Sequence, residues 1–331
     1  MKKVIIAGFV LVVLFILGLG GTAYYYTYRV NVSAKSPENK VNGSTNNQKN
    51  VDEQNKEKEN KSGEVEKPKP SGQSNDADKP TVAKGEVDFT PIVVDAANLS
   101  KEEKSWYYTP KSNGVPSEEP QQIKDLIGKY RGYYLNNKDN KAIYLTFDEG
   151  YENGYTGKIL DVLKENNVKA AFFVTTDYVN GNKELVKRMA AEGHVVCNHS
   201  TTHPSMVAIA IKDELSFNKE LVECEKAFEQ VTGSKMHKYF RPPMGKYSEL
   251  SLYYTQKLKY RTIFWSFAYA DWEPTNQPTA EYAKKLIMDR THGGGIFLLH
   301  AVSKTNTEVL DWVIKEWKNK GFELKALYEI E

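Results

Sequence analysis

Two adjacent carboxylates, Asp148 and Glu149, follow an apolar run at 142–147. Such groups can serve as a general base or as oxygen ligands to a metal. His199 and His203 lie four apart in His199-Ser200-Thr201-Thr202-His203. One helical turn would put both imidazoles on one side, although Pro204 stops such a turn at once. Neutral imidazole suits Zn2+ and similar divalent ions. The second position of the motif is Ser200 where a zinc metalloprotease helix needs Glu, so that chemistry is set aside. Further along stand Arg241-Pro242-Pro243-Met244-Gly245, Asp271-Trp272 and His300. Singly, each has a plain alternative. Asp148 and Asp271 could be turn formers or helix caps, Arg241 the partner of a structural carboxylate, and His300 a core histidine beside Leu298 and Leu299. His194, His237 and His292 receive no role.

The elements that must position these groups alternate along the C-terminal half. Apolar runs at 142–147, 170–175, 194–198, 239–240, 262–267, 296–299 and 322–328 read as strands. Helix-period stretches at 157–165, 183–191, 212–231, 249–258, 280–290 and 307–318 fill the gaps. In the last, Leu310, Val313, Ile314 and Trp317 form one face. Gly193, Gly233, Gly293 and Gly321 follow helices, where left-handed caps are expected. The alternation predicts an α/β fold, a distorted (β/α) barrel with mostly parallel strands. In such a barrel the C-terminal strand ends meet on one rim, which is where the chemistry sits. Five separated segments then deliver Asp148 and Glu149, His199 and His203, Arg241, Asp271 and His300 to one place. No packing requirement explains that set.

The rest of the chain reports location. Lys2 and Lys3 precede an uncharged apolar run at 4–21, near the length that crosses a bilayer as a helix. The positive flank keeps the N-terminus in the cytoplasm and exports the remainder. Tyr24, Tyr25, Tyr26 and Tyr28 follow, as in an interfacial aromatic belt. The alternative is a cleaved signal peptide with Gly21-Thr22-Ala23 as its small-residue site. Residues 1–28 are therefore a membrane anchor or signal, and the localisation is the cell membrane with an extracytoplasmic domain, or secretion. Residues 31–88 contain no Leu, Ile, Met or aromatic residue. Such a segment cannot bury enough apolar surface to offset its ordering entropy, so 29–88 is expected to be a disordered linker. An aromatic lead-in, 89–140, precedes the alternating α/β domain at 141–331, which is expected to carry the chemistry. Forty-five basic and forty-three acidic residues leave a net charge of +2, which gives no ground for a nucleic-acid partner. Cys197 and Cys224 make no disulfide framework; they are two buried thiols or a single bridge.

Taken together, five motifs in order resemble those of the polysaccharide deacetylases, carbohydrate esterase family 4 with its NodB-homology domain. They are Thr146-Phe147-Asp148-Glu149-Gly150, His199-Ser200-Thr201-Thr202-His203, Arg241-Pro242-Pro243, Asp271-Trp272 and Leu298-Leu299-His300. The resemblance covers residue 141 to the C-terminus. The stretch Tyr151-Glu152-Asn153-Gly154-Tyr155-Thr156 and the aromatic residues at 106–108 are similar to the branch that acts on muramic acid in spore cortex, associated with muramic δ-lactam formation.

The resemblance implies a peptidoglycan N-acetyl amidohydrolase that acts as a monomer on glycan strands. It implies a divalent metal ion, Zn2+ first among candidates, held by His199, His203 and Glu149. Asp148 is implied as the base that takes a proton from water, and His300 as the acid that protonates the departing amine. Arg241 would orient Asp148, and Asp271 would keep His300 protonated. The Met244 backbone N–H would stabilise the oxyanion, Trp272 and Leu298 would wall the acetyl pocket, and Tyr151 and Asn153 would add substrate contacts. Two positions depart from the family pattern: Glu149 stands where Asp is usual as metal ligand, and Ala268 where a further acid is frequent. N-acetylglucosamine as the substrate, a silent glycan-binding relative and a tethered structural wall protein are the other readings.

Overall fold

The structure, a computed structural model, describes residues 89–330. The apolar run after residue 141 becomes a central strand, β2 (Ala142–Glu149), buried along its whole length. Parallel to it on one side run β3 (Ala171–Val174), β4 (Val195–Asn198), β5 (Tyr239–Phe240) and β7 (Arg261–Thr262). On the other side lies β8 (Gly295–His300), and the short β9 (Glu323–Leu324) pairs with the start of β2 on the β3 side; both are parallel to β2. A separate antiparallel pair joins β1 (Lys104–Ser105) to β6 (Lys246–Tyr247). The two sheet ends approach each other where Phe267 bridges Phe297 and the Leu298 N–H donates to the Phe267 carbonyl. The expectation of parallel α/β architecture is met by this curled sheet.

Burial on both faces of β2 explains why its sequence is a continuous apolar run and not an alternating one. One face, through Ile143, Leu145 and Phe147, packs on the helices. Those are α2 (Thr156–Glu165), α4 (Lys183–Ala191) and α9 (Lys304–Asn319), with Ile159, Leu163, Val186, Leu310 and Trp317 at the contact. The other face, through Ala142 and Tyr144, joins Phe173, Cys197 and Ile296 inside the curl. Successive side chains on a strand point to opposite faces. Thr146 and Asp148 therefore belong with the inner set, and Glu149 with the outer one.

Several element boundaries differ from the sequence expectations. The helix expected at 212–231 is α6 (Glu214–Thr232), whose start is set by Asp213, which turns extended and accepts from the Ser216 N–H; a further helix, α5 (Met206–Lys212), precedes it and was not expected. Strand β7 ends at Thr262, and 322–328 yields only β9 and a 3-10 turn at Leu327–Glu329. Helices α1 (Gln121–Lys129) and α3 (Thr176–Gly181) were not expected. Helices α7 (Glu249–Lys257) and α8 (Ala280–Arg290) fall close to the reading. Cys197 and Cys224 are both free and buried. No described helix is long and apolar enough to cross a membrane, and the apolar run at 4–21 and the linker 29–88 lie outside the described residues.

Candidate active site

The inner face of the sheet brings the reactive groups together in register. Tyr144 pairs with Ile296, Thr146 with Leu298 and Asp148 with His300. Two strands separated by some 150 residues of chain thus place a carboxylate beside an imidazole at one rim. A cleft of about 710 Å³ opens there, lined by Asp148, Tyr151, His199, His203, Met244, Trp272, Leu298 and His300 among others. Of twelve residues expected at the site, these eight border the opening.

Asp148 is buried, and its Oδ1 accepts a hydrogen bond from Arg241 Nη1 at 2.7 Å. Arg241 is itself fully buried, with Nε donating to the Ile263 carbonyl and the guanidinium lying 4.1 Å from the Phe173 ring centroid. Burial would raise the Asp148 pKa, but the charges of Arg241, His199 and His300 outweigh it and hold the carboxyl below its ordinary range. Asp148 is therefore an ionised carboxylate at neutral pH, free to accept a proton through Oδ2.

His199 stands 3.6 Å away, from Nε2 to Asp148 Oδ2. Its Nδ1 lies 2.8 Å from the Arg241 carbonyl, an acceptor only, so Nδ1 carries the proton and Nε2 presents a lone pair. Burial lowers the His199 pKa to about 4, against the opposing pull of Asp148. The His203 ring stands 4.9 Å from that of His199, centroid to centroid, edge to face. No helical turn achieves this. Ser200 and His203 instead both take positive φ, 70° and 55°, in a loop braced by Ser200 Oγ accepting from the His203 N–H.

His300 closes the other side. Its Nδ1 lies 2.7 Å from Asp271 Oδ1, and its backbone N–H donates to Asp271 Oδ2. Burial alone would depress this imidazole, but Asp271, by charge and hydrogen bond, and then Asp148 raise its pKa above the usual value. With Nδ1 engaged by Asp271, which is fully buried behind it, the Nε2 side of His300 is the one left for the cleft. Trp272, half exposed, meets the His300 ring edge-on at 5.8 Å. Met244 sits at φ 58° in the turn after Pro242. The next residue must be small: a Cβ on Gly245, at φ 65°, would stand 2.9 Å from the Trp265 ring and 3.2 Å from Trp106.

Glu149 requires a correction. It was expected as the third metal ligand, yet it faces the helices and not the cleft. Both of its carboxylate oxygens lie within 3.5 Å of Thr156 Oγ1, which donates to them, and the side chain is fully buried. Burial, and then the negative charge of Glu152, push its pKa well above the ordinary value, which favours the protonated form. The cause is geometric: β2 continues through residue 149, and neighbours on a strand cannot share a face. Among the described residues no group of three His, Cys, Asp or Glu side chains could hold a metal ion. The expected His199–His203–Glu149 set therefore does not assemble. Asn153, expected as a substrate contact, sits behind the rim. It lies outside the cleft lining, and its amide donates to the Val302 carbonyl, joining the loops after β2 and β8.

Some supporting groups had no sequence signal of their own. Glu220 on α6 accepts from the backbone N–H groups of Thr201 and Thr202 and from the Thr202 hydroxyl, cradling the loop between the two histidines. Asn306 on α9 donates to Asp271 Oδ2 and to the His300 carbonyl, and accepts from the Tyr269 hydroxyl. Each is an ordinary polar residue on an amphipathic helix, and only its distance from the site in three dimensions reveals it.

This pairing of an Arg-bound carboxylate with an Asp-bound imidazole across one cleft defines a hydrolase site. The polysaccharide deacetylase family model matches residues 135–263. The peptidoglycan-N-acetylmuramic acid deacetylase PdaA of Bacillus subtilis is 41% identical over 239 residues, covering 71% of this chain and 88% of that protein. A peptidoglycan-N-acetylglucosamine deacetylase of Bacillus cereus is 30% identical over 200 residues, covering 59% of this chain and 70% of that protein. The solved structure of B. subtilis PdaA, a family 4 carbohydrate esterase, aligns with a TM-score of 0.67 at 40% identity, over 70% of this chain and 98% of that one. The chain belongs to the polysaccharide deacetylase family.

Proposed function

We propose that the protein hydrolyses the N-acetyl groups of amino sugars in peptidoglycan, with N-acetylmuramic acid as its substrate. The observation that carries the reading is the register pairing of Asp148 with His300, each hydrogen-bonded to a buried, oppositely charged partner, Arg241 and Asp271. Asp148 takes a proton from water, and the hydroxide oxygen adds to the acetyl carbonyl carbon. The resulting oxyanion lies against the Met244 backbone N–H. His300 gives its proton to the sugar nitrogen, the C–N bond breaks, and acetate leaves a free amine on the glycan. Trp272 and Leu298 confine the acetyl group, and Tyr151, half exposed at the rim, meets the sugar face. A divalent ion, with Zn2+ favoured by imidazole donors, belongs to the proposal only as far as His199 and His203 carry it; Glu149 gives it no third ligand.

The muramic substrate rests on the 41% identity to the B. subtilis enzyme and on the stretch from Tyr151 to Thr156. The N-acetylglucosamine reading draws on the B. cereus relative. Mass spectrometry of glycan fragments after incubation with the protein separates them. Acetyl loss from muramic residues, especially those without peptide stems, supports the first and fits a role in cortex δ-lactam formation. Loss from glucosamine residues alone overturns it. The proposal extends to architecture and location: a monomeric distorted (β/α) barrel at 141–331, with the 89–140 lead-in packed on it. It would be held outside the cytoplasm by the apolar run at 4–21 and a polar tether, or released if that run is cleaved.

A further inference from the structure

Three described non-glycine residues at the cleft take positive φ: Ser200, His203 and Met244. Such residues persist where surrounding contacts over-determine them. One side chain outside the cleft lining reaches both loops that carry them. Glu103 Oε1 pairs with Lys246 Nζ at 2.7 Å, and its Oε2 accepts from the Ser205 hydroxyl at 2.5 Å. Lys246 lies two residues after Met244, and Ser205 two residues after His203. Ser205 occupies the N-cap position of α5, where a serine hydroxyl ordinarily accepts from the helix's own N–H groups, but here it makes no such bond. Its hydroxyl is directed to Glu103 instead.

The backbone around Glu103 is fixed by the same neighbourhood. Ser105 pairs with Lys246 in the β1–β6 ladder, and the Trp106 N–H donates to the Gly245 carbonyl at 2.8 Å. Trp106 Nε1 donates to the Trp265 carbonyl, and the Tyr108 hydroxyl both donates to the Ala268 carbonyl and accepts from the Ala268 N–H. Trp265 and Ala268 are cleft residues. An ion pair as exposed as Glu103–Lys246, each side chain about a third accessible, adds little to global stability. Its bridging position is what distinguishes it.

We propose that Glu103 is a positioning residue, a clasp from the lead-in segment that sets the His203 loop and the Met244 turn at a fixed separation across the cleft mouth. The inference rests on the deacetylase reading for its catalytic consequence, but not for its structural one. The test compares Glu103→Ala, Glu103→Gln and the neighbouring Glu102→Ala in the full chain, by backbone hydrogen exchange and by acetate release. Among the described residues the Glu102 side chain pairs with Lys104 alone, and it serves as the control. In Glu103→Ala, exchange rises in peptides covering both 200–206 and 243–247, and kcat falls about tenfold or more with little change in KM. Glu103→Gln, which keeps one acceptor oxygen, falls between on both readouts, and Glu102→Ala matches the wild type. The melting temperature of each variant stays within about 3 °C of the wild type. Exchange rising in only one peptide or neither, an unchanged kcat, or a loss of kcat that tracks a falling melting temperature overturns the clasp. A wild-type chain that releases no acetate sinks the deacetylase reading instead, and the exchange result then decides the clasp alone.

Discussion

Asp148 and Glu149 are adjacent carboxylic acids on one strand, yet they live in opposite electrostatic worlds. Asp148 points into the curl, where Arg241, His199 and His300 keep it ionised despite burial. Glu149 points at the helical layer, where Thr156 is its hydrogen-bond donor and Glu152 repels a second negative charge. A single step along β2 exchanges a carboxylate held ionised for one that burial pushes towards its protonated form. Residue type alone does not set chemical role; the face of the strand does.

Breaking the inner face should have the largest effect. Asp148→Asn keeps the shape and removes the proton acceptor, so acetate release should fall by about 10²- to 10⁴-fold while glycan binding persists. Steady-state assays beside a binding isotherm check both halves. Next comes the support of the acid. Asp271→Asn removes the charge that raises the His300 pKa, so the alkaline limb of the kcat/KM profile should move to lower pH. The loss of rate should be about tenfold or more. A limb left in place would mean that another group sets it. Smaller again is the effect on metal affinity of Glu149→Gln, which calorimetry with Zn2+ should find unchanged; His199→Ala should weaken binding by about tenfold or more.

The smallest effect concerns stability. The folded pKa of Glu149 lies above its unfolded value, so its contribution is fully present below the ordinary carboxyl pKa and is lost as pH rises towards the folded pKa. Glu149→Gln carries no such proton. Its melting temperature should therefore exceed that of the wild type at neutral pH, and the difference should shrink towards pH 4. Equal melting temperatures at both pH values would show that the carboxyl ionises without penalty.

Much of this arrangement was legible in the sequence. The continuous apolar strands and the periodic helices gave the parallel α/β order, because those patterns follow from burial on both faces and on one face respectively. The five polar segments at strand ends pointed to one rim, and Asp148, His199, His203, Arg241, Asp271 and His300 do converge there. The metal role of Glu149 comes from the family resemblance alone; strand β2 runs through residue 149, and alternation along it turns the second carboxylate outward. The His199–His203 geometry could not be read, since it depends on two left-handed residues in a loop that Glu220 braces from a distant helix. Asn306 and Glu103 were invisible for a related reason: their contacts are tertiary, and no local spacing encodes them.

The most direct test places the two neighbours side by side. Acetate release from peptidoglycan is measured for the wild type, Asp148→Asn and Glu149→Gln under one set of conditions, with circular dichroism confirming that each is folded. The strand-alternation account predicts a silent Asp148→Asn and a Glu149→Gln enzyme within about twofold of wild type. A folded Glu149→Gln protein that has lost turnover, or an active Asp148→Asn protein, would contradict it.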